Sequence, residues 1–182
     1  MNDEIRALET QIYELKGKLG EARAKVTPEP VDDFEFMTAA GSEKLSELFG
    51  DKDDLLVMHN MGKSCNYCTL WADGFSGYQR HLTERAAFVL VSPDEPETQS
   101  KLAAARGWTF PMAQDSTREF TSAMGMWNEK DGWWPGVSAF HKDADGSIVR
   151  TGTAMFGPGD DFCMVWPMFE LLAEGAKGWE PH

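Results

Sequence analysis

Apolar positions recur at alternating spacings of three and four near the start of the chain: Ile5, Leu8, Ile12, Leu15 and Leu19, with charges between them. That period predicts one helix over residues 3–25, with the a/d seam of a short heptad pattern. The seam must bury itself against a second copy or against the chain's own domain, and the pattern does not choose between them. Thr27-Pro28-Glu29-Pro30 ends the helix and reads as a stiff linker. The pattern then shortens. Residues 34–36 read as a strand. Residues 42–49 read as a helix with Ser42 as its N-cap, stopped at Gly50. A strand over 55–60 opens with the nearly continuous apolar run Leu55-Leu56-Val57-Met58, as in a central strand covered on both faces.

A helix is expected over 65–82, a second buried strand over 86–91, and a helix over 97–106 ending at Gly107. A short strand follows at 108–112, then a helix from Asp115 or Ser116 to about residue 124. Residues 127–134 form a Trp-rich loop. A hairpin follows, with strands at 137–141 and 147–153 around the turn Asp143-Ala144-Asp145-Gly146. A last helix covers about 161–173, where Pro167 must kink or restart it. Residues 175–182 read as a loosely held tail. Strands alternating with helices imply crossover units and a parallel core. The chain divides into a helical arm, residues 1–26, and an α/β domain, residues 27–182.

Composition adds exclusions. A net charge of −13, from 17 basic and 30 acidic residues, is repelled by phosphate backbones and anionic lipid, so neither nucleic acid nor a membrane is expected as partner. No run reaches the length of a membrane-spanning helix, and Met1-Asn2-Asp3-Glu4-Ile5-Arg6 lacks the pattern of a secretory signal; a cytoplasmic protein is expected. Three cysteines, Cys65, Cys68 and Cys163, are too few for a disulfide framework.

Two of them stand two residues apart in Ser64-Cys65-Asn66-Tyr67-Cys68, at a strand-to-helix junction, which is a redox signature. Free backbone N–H groups at a helix start favour a thiolate, so Cys65 is the expected attacking thiol. Cys68, one turn further in, is the expected resolving thiol. Inert core cysteines are the plain alternative. A metal site drawing on Cys65, Cys68, Cys163 and His59 is another, although no second Cys or His pair supports it. No Thr/Ser-x-x-Cys with a matching Arg marks a peroxidase.

The cysteine pair after a central strand, together with Pro135-Gly136-Val137-Ser138-Ala139-Phe140 ahead of a hairpin, resembles the thioredoxin superfamily. The stretch Cys68-Thr69-Leu70-Trp71-Ala72-Asp73-Gly74-Phe75-Ser76-Gly77 resembles, more narrowly, the family called domain of unknown function 899, described as predicted dithiol-disulfide oxidoreductases. The resemblance covers nearly the whole chain. It departs at the Asn-Tyr dipeptide between the cysteines and at a short connection before Cys65.

The resemblance implies a thioredoxin-like three-layer fold with a mixed central sheet, and a thiol-disulfide oxidoreductase that needs no cofactor and no metal. Pro135 becomes the candidate cis-proline facing the cysteines. His59 stands six residues before Cys65, where thioredoxins carry a buried Asp; a proton acceptor for Cys68 and a core histidine bonded to backbone are both open readings. Asn66, Tyr67, Trp71 and Trp134 are the expected substrate groove; Trp127 and Trp133 belong to the same aromatic set, from which Trp134 is preferred because it directly precedes Pro135. Partners would be a disulfide-containing protein or small thiol, an unknown electron donor, and, as one of the two ways to cover the N-terminal helix, a second copy in a homodimer. A non-enzymatic binding module presenting the Trp-rich face is the competing function.

Overall fold

The computed structural model describes residues 2–182; Met1, in the expected arm, lies outside them. Helix α1 spans Asp3–Arg23, with the Asn2 side chain accepting from the Glu4 N–H at 3.0 Å. Strands β1 (Glu29–Val31), β2 (Glu35–Thr38) and β3 (Gly41–Lys44) follow, then the single turn α2 (Leu45–Leu48). The central units are β4 (Asp54–His59), α3 (Asn66–Arg85), β5 (Ala87–Ser92), α4 (Pro96–Arg106) and β6 (Met112–Gln114). Next come α5 (Glu119–Ala123) and the ribbon β7 (Trp127–Asn128) and β8 (Gly132–Trp133). The chain closes with β9 (Gly136–Lys142), β10 (Ile148–Met155) and α6 (Val165–Glu170).

Eight strands form one mixed sheet in the order β1-β10-β9-β4-β5-β6-β2-β3. β4, β5 and β6 run parallel, joined by the crossover helices α3 and α4, and β9 lies antiparallel to β4. The period-2 pleat divides the apolar strands between two cores. Leu55, Val57, Val89 and Val91 pack with Phe36, Phe49, Phe120 and Phe140 on one face. Met58, Phe88 and Leu90 pack with Trp71, Trp108, Phe110 and Phe156 on the other. The expected three-layer outline, with helices on both faces of a mixed sheet, is present.

Several local expectations are corrected. Residues 41–44 are a strand rather than a helix start: Thr38 and Gly41 close a tight hairpin, Gly41 has φ +123°, and the Ser42 hydroxyl donates to Glu35 across the strand pair instead of capping. The helix there is one turn, its first residue tied by the Leu45 N–H to the Phe34 carbonyl at 2.8 Å. The expected linker in fact contributes β1, where Pro30 is tolerated because the strand is at the sheet edge. The strand expected at 108–112 instead begins at Met112, because Trp108 and Phe110 are core side chains of the connection. α5 starts at Glu119, although Asp115 still serves it: its carboxylate accepts from the Thr121 N–H at 2.8 Å and the Thr121 hydroxyl at 2.6 Å.

The Trp-rich loop contains the β7–β8 ribbon. α6 is only six residues long because the Asp160 carboxylate holds the preceding residues in a turn, accepting from the Gly157 and Phe162 N–H groups at 2.9 and 2.8 Å. The tail is not loosely held: Trp179 packs edge-on against Trp166 and Phe169, with ring centroids 5.6 and 5.1 Å away, and Pro181 is buried. No helix of the described residues is long and apolar enough to cross a membrane.

Candidate redox site

The site begins where β4 stops. The Asn60 N–H bonds the Val91 carbonyl at 2.9 Å, keeping the chain beside β5 for one more residue. The Asn60 side chain then accepts the Gly62 N–H at 2.7 Å, and the Lys63 N–H reaches Asp94 at 2.6 Å. Gly62 has φ +100°, and a side chain there would meet the Asp94 carboxylate at 3.3 Å. Glycine is favoured there by its backbone conformation, and a side chain would also have to displace the Asp94 carboxylate slightly. The Cys65 N–H closes the turn onto the Gly62 carbonyl at 3.0 Å and leaves Cys65 as the N-cap of α3.

Both cysteines are free thiols. Cys65 is half-buried, and its Sγ accepts the Cys68 N–H at 3.0 Å. The Cys68 thiol donating to Cys65, followed by the N–H groups of Cys68 and Tyr67, outweighs partial burial and lowers the Cys65 pKa to about 7. Cys68 has no exposed surface. Its hydrogen bond to Cys65 and its burial push its own pKa far upward, although the Met61 N–H reaches its Sγ at 3.4 Å. The two thiols, one turn apart, thus differ in the way attack and resolution require: one ionised near neutral pH at the surface, one protonated beneath it.

A cleft of about 490 Å³ opens at Cys65. Met61, Ser64, Asn66 and Tyr67 line it from the cysteine turn, and Trp133, Glu180 and Pro181 line it from two distant segments. Asn66 and Tyr67 therefore lie where the groove was expected. Trp71 does not: it is 2% exposed, packed 5.3 Å from the Phe156 ring, with its indole N–H unpartnered. Trp134 is 44% exposed but outside the cleft. Its neighbour Trp133, the last residue of β8, takes the place. Trp133 belongs to the aromatic set expected near the groove, and it is the member that lines it in place of Trp134; Met61, Ser64, Glu180 and Pro181 carry no sequence signal for this role.

Pro135 directly precedes β9, whose first residue Gly136 stands opposite His59 at the end of β4. The described residues contain no cis peptide bond, so Pro135 is trans and not the expected cis-proline. Trans is the ordinary form, and here the Trp134 N–H bonds the Met126 carbonyl at 2.8 Å while the Pro135 carbonyl accepts from Phe156 at 2.9 Å.

His59 is buried on the sheet face opposite α3, stacked on Phe120 at 5.4 Å, with Nε2 2.8 Å from the Ser138 hydroxyl and Nδ1 unpartnered. Burial, then the Arg150 charge, lowers its pKa to about 3, so it is neutral and weakly basic. It makes no hydrogen bond to Cys68, which corrects the proton-acceptor reading; its partner is a side chain, not the backbone of the plainer alternative. Cys163 is buried in the core on the α3 face. Among the described residues no three His, Cys, Asp or Glu side chains gather as metal ligands. A second cleft, about 290 Å³ between Arg23, Val26 and the β9–β10 strands, contains neither cysteine.

Known proteins resemble this chain to different depths. A Mycobacterium tuberculosis protein named as a peroxiredoxin is 39% identical over 64 residues, 32% of this chain; the chain spans about two fifths (41%) of that relative. Among solved structures, Peroxidoxin BcpB from Mycobacterium tuberculosis matches with TM-score 0.57 and 23% identity over 71% of this chain and 84% of that one. PrxQ from Xylella fastidiosa matches with TM-score 0.60 and 14% identity over 71% and 85%. Reduced Prx3 from Vibrio vulnificus, solved in complex with hydrogen peroxide, matches with TM-score 0.59 and 14% identity over 74% and 90%. These likenesses establish the thioredoxin-like α/β fold. The profile of one family, described as bacterial protein of unknown function (DUF899), matches residues 2–181, and the chain belongs to that family.

Proposed function

We propose that the protein is a thiol-disulfide oxidoreductase that cycles Cys65 and Cys68 between dithiol and disulfide. The observation carrying this reading is the asymmetry of the pair: an accessible thiol lowered to about 7 beside a buried one pushed up. The Cys65 thiolate attacks one sulfur of a substrate disulfide, forming a mixed disulfide and expelling the other sulfur as a thiolate. Cys68 gives up its proton and attacks the Cys65 sulfur, expelling the second substrate thiolate. The substrate gains two electrons and the pair loses two, so a separate thiol donor must re-reduce it. The substrate is a disulfide-containing protein or a small disulfide held at Asn66, Tyr67 and Trp133. The low, odd cysteine count fits a reducing, cytoplasmic setting, and the charge of −13 disfavours nucleic acid and anionic membrane as partners.

A peroxide is the second substrate class, favoured by the peroxiredoxin names among the relatives. There the Cys65 thiolate would break the O–O bond, and Cys68 would expel water from the resulting sulfenic acid. No arginine lines the cleft at Cys65 to stabilise the departing oxygen, which favours the disulfide. The third part of the proposal is a homodimer through α1, whose seam is exposed. Insulin reduction and hydrogen peroxide consumption, run on wild type, Cys65→Ser and Cys68→Ser, test the catalytic reading. Wild-type insulin reduction, its loss in Cys65→Ser and a trapped mixed disulfide in Cys68→Ser are expected. A wild type no better than Cys65→Ser in both assays overturns the enzyme, and activity on peroxide alone overturns the disulfide substrate.

A further inference from the structure

Helix α1 is 21 residues long and buries none of them. Ile5, Leu8, Ile12, Leu15 and Leu19 are 45–61% exposed. The one side-chain hydrogen bond from α1 to the rest of the described chain joins Lys16 to Asp161 at 2.5 Å. Helices in proteins owe most of their stability to packing of an apolar face, and the five apolar side chains of α1 form one continuous seam. In heptad register Ile5, Ile12 and Leu19 take the a positions and Leu8 and Leu15 the d positions. The flanking e positions are then Glu9, Lys16 and Arg23, and the g positions within the helix Glu4, Gln11 and Lys18.

The flanking charges choose an orientation. In a parallel pair each g residue meets the e residue five positions on in the second copy. Glu4 would face Glu9, and Lys18 would face Arg23, so both charged contacts are repulsive. In an antiparallel pair a layers meet d layers, which sets Ile12 against Leu15 and Leu8 against Leu19. In that register e meets e and g meets g. Glu9 then faces Lys16, a contact made twice by two-fold symmetry, and Gln11 faces Lys18. The two like-charge contacts of the parallel pair are thereby replaced by an opposite-charge contact made twice.

We propose that α1 binds α1 of a second copy of this chain in an antiparallel two-helix pair centred between Ile12 and Leu15. This deepens the dimer reading above and rests on it, but it is independent of the cysteine chemistry. Lys16 then lies between Asp161 of its own domain and Glu9 of the second copy. The second copy covers the apolar seam that the fold leaves open.

Sedimentation equilibrium of the full chain, at micromolar concentration and low salt, tests it. Wild type is expected to be a dimer, and Leu15→Glu a monomer with an unchanged circular dichroism spectrum in the domain's aromatic region. Glu9→Lys sets like charges against each other at both contacts with Lys16 in the antiparallel pair and weakens the dimer about tenfold over its two copies. Lys16→Glu weakens it likewise, and an equimolar mixture of the two variants recovers dimer, because both contacts then join a lysine to a glutamate. In the parallel arrangement Glu9→Lys would instead relieve the Glu4–Glu9 contact and tighten the dimer. A Glu9→Lys dimer as tight as wild type or tighter overturns the antiparallel orientation alone. A monomeric wild type, or a dimer indifferent to Leu15→Glu, overturns the orientation and the dimer reading together.

Discussion

Cys65 gains its acidity from three donors supplied by two residues of the turn that follows it: the Cys68 thiol, the Cys68 N–H and the Tyr67 N–H. The thiol is the largest of these, so the resolving cysteine also activates the attacking one. Alkylation of the reduced protein by iodoacetamide is therefore expected to rise with a midpoint near pH 7. In Cys68→Ala the midpoint should move up toward the ordinary thiol range; an unmoved midpoint would show that the backbone donors suffice. The same shift links to stability. The fold favours the thiolate more than the unfolded chain does, so this contribution is full above the ordinary thiol value and is lost as pH falls through about 7. The pair and its polarity were legible in the sequence because they depend on a spacing of three residues at a helix start. Glu180 and Pro181 were not, nor was the choice of Trp133 over Trp134, because their place in the cleft depends on contacts between segments far apart in the chain, which leave no local pattern. His59 was read by its offset from Cys65. The pleat decided otherwise: it shares a face with Leu55 and Val57, away from α3.

Elements with one dominant period were legible in type and nearly in extent. β4 and β5 are apolar runs, α3 follows a loop breaker, and β9–β10 flanks an Asp-Gly-containing turn. Short elements set by tertiary contacts were misread. Residues 42–49 carry Leu45, Leu48 and Phe49 at helical spacing, yet pairing with β2 claims the first part as strand. Pro135-Gly136 was recognised as a junction, but for the proline. The structure places the tighter constraint on the glycine. A Cβ at Gly136 would lie 2.5 Å from the Ala154 carbonyl oxygen and 3.0 Å from the end of Met126. The carbonyl belongs to the β9–β10 ladder and cannot give way as a side chain would. Gly136→Ala should therefore destabilise the fold by about 1–3 kcal/mol, measured by urea unfolding. A neutral substitution would mean that β10 shifts freely at Ala154, against the pairing that holds β9 beside β4.

At the scale of the whole molecule, the last residues of the described chain return to the first turn of α3. Trp179 is held by Trp166 and Phe169, Trp166 stacks on Tyr67 at 6.1 Å, and Tyr67 sits between the two cysteines. This aromatic chain anchors the tail where Glu180 and Pro181 border the cleft at Cys65. The anchoring is packing, not hydrogen bonding: Trp166 keeps a buried, unpartnered indole N–H, and apolar contact must hold the ring despite that cost. Removing the Trp179 ring should release the tail without touching the donors that set the Cys65 pKa. Trp179→Ala is expected to alkylate at Cys65 several-fold faster than wild type, with the same midpoint near pH 7. Access and ionisation are thereby separated, since a faster reaction at an unchanged midpoint reports opening of the cleft alone. An unchanged rate would show that the tail borders the cleft without restricting it. A raised midpoint would mean that Tyr67 and its N–H had shifted with the ring stack, so that the tail also helps to hold the turn that activates Cys65.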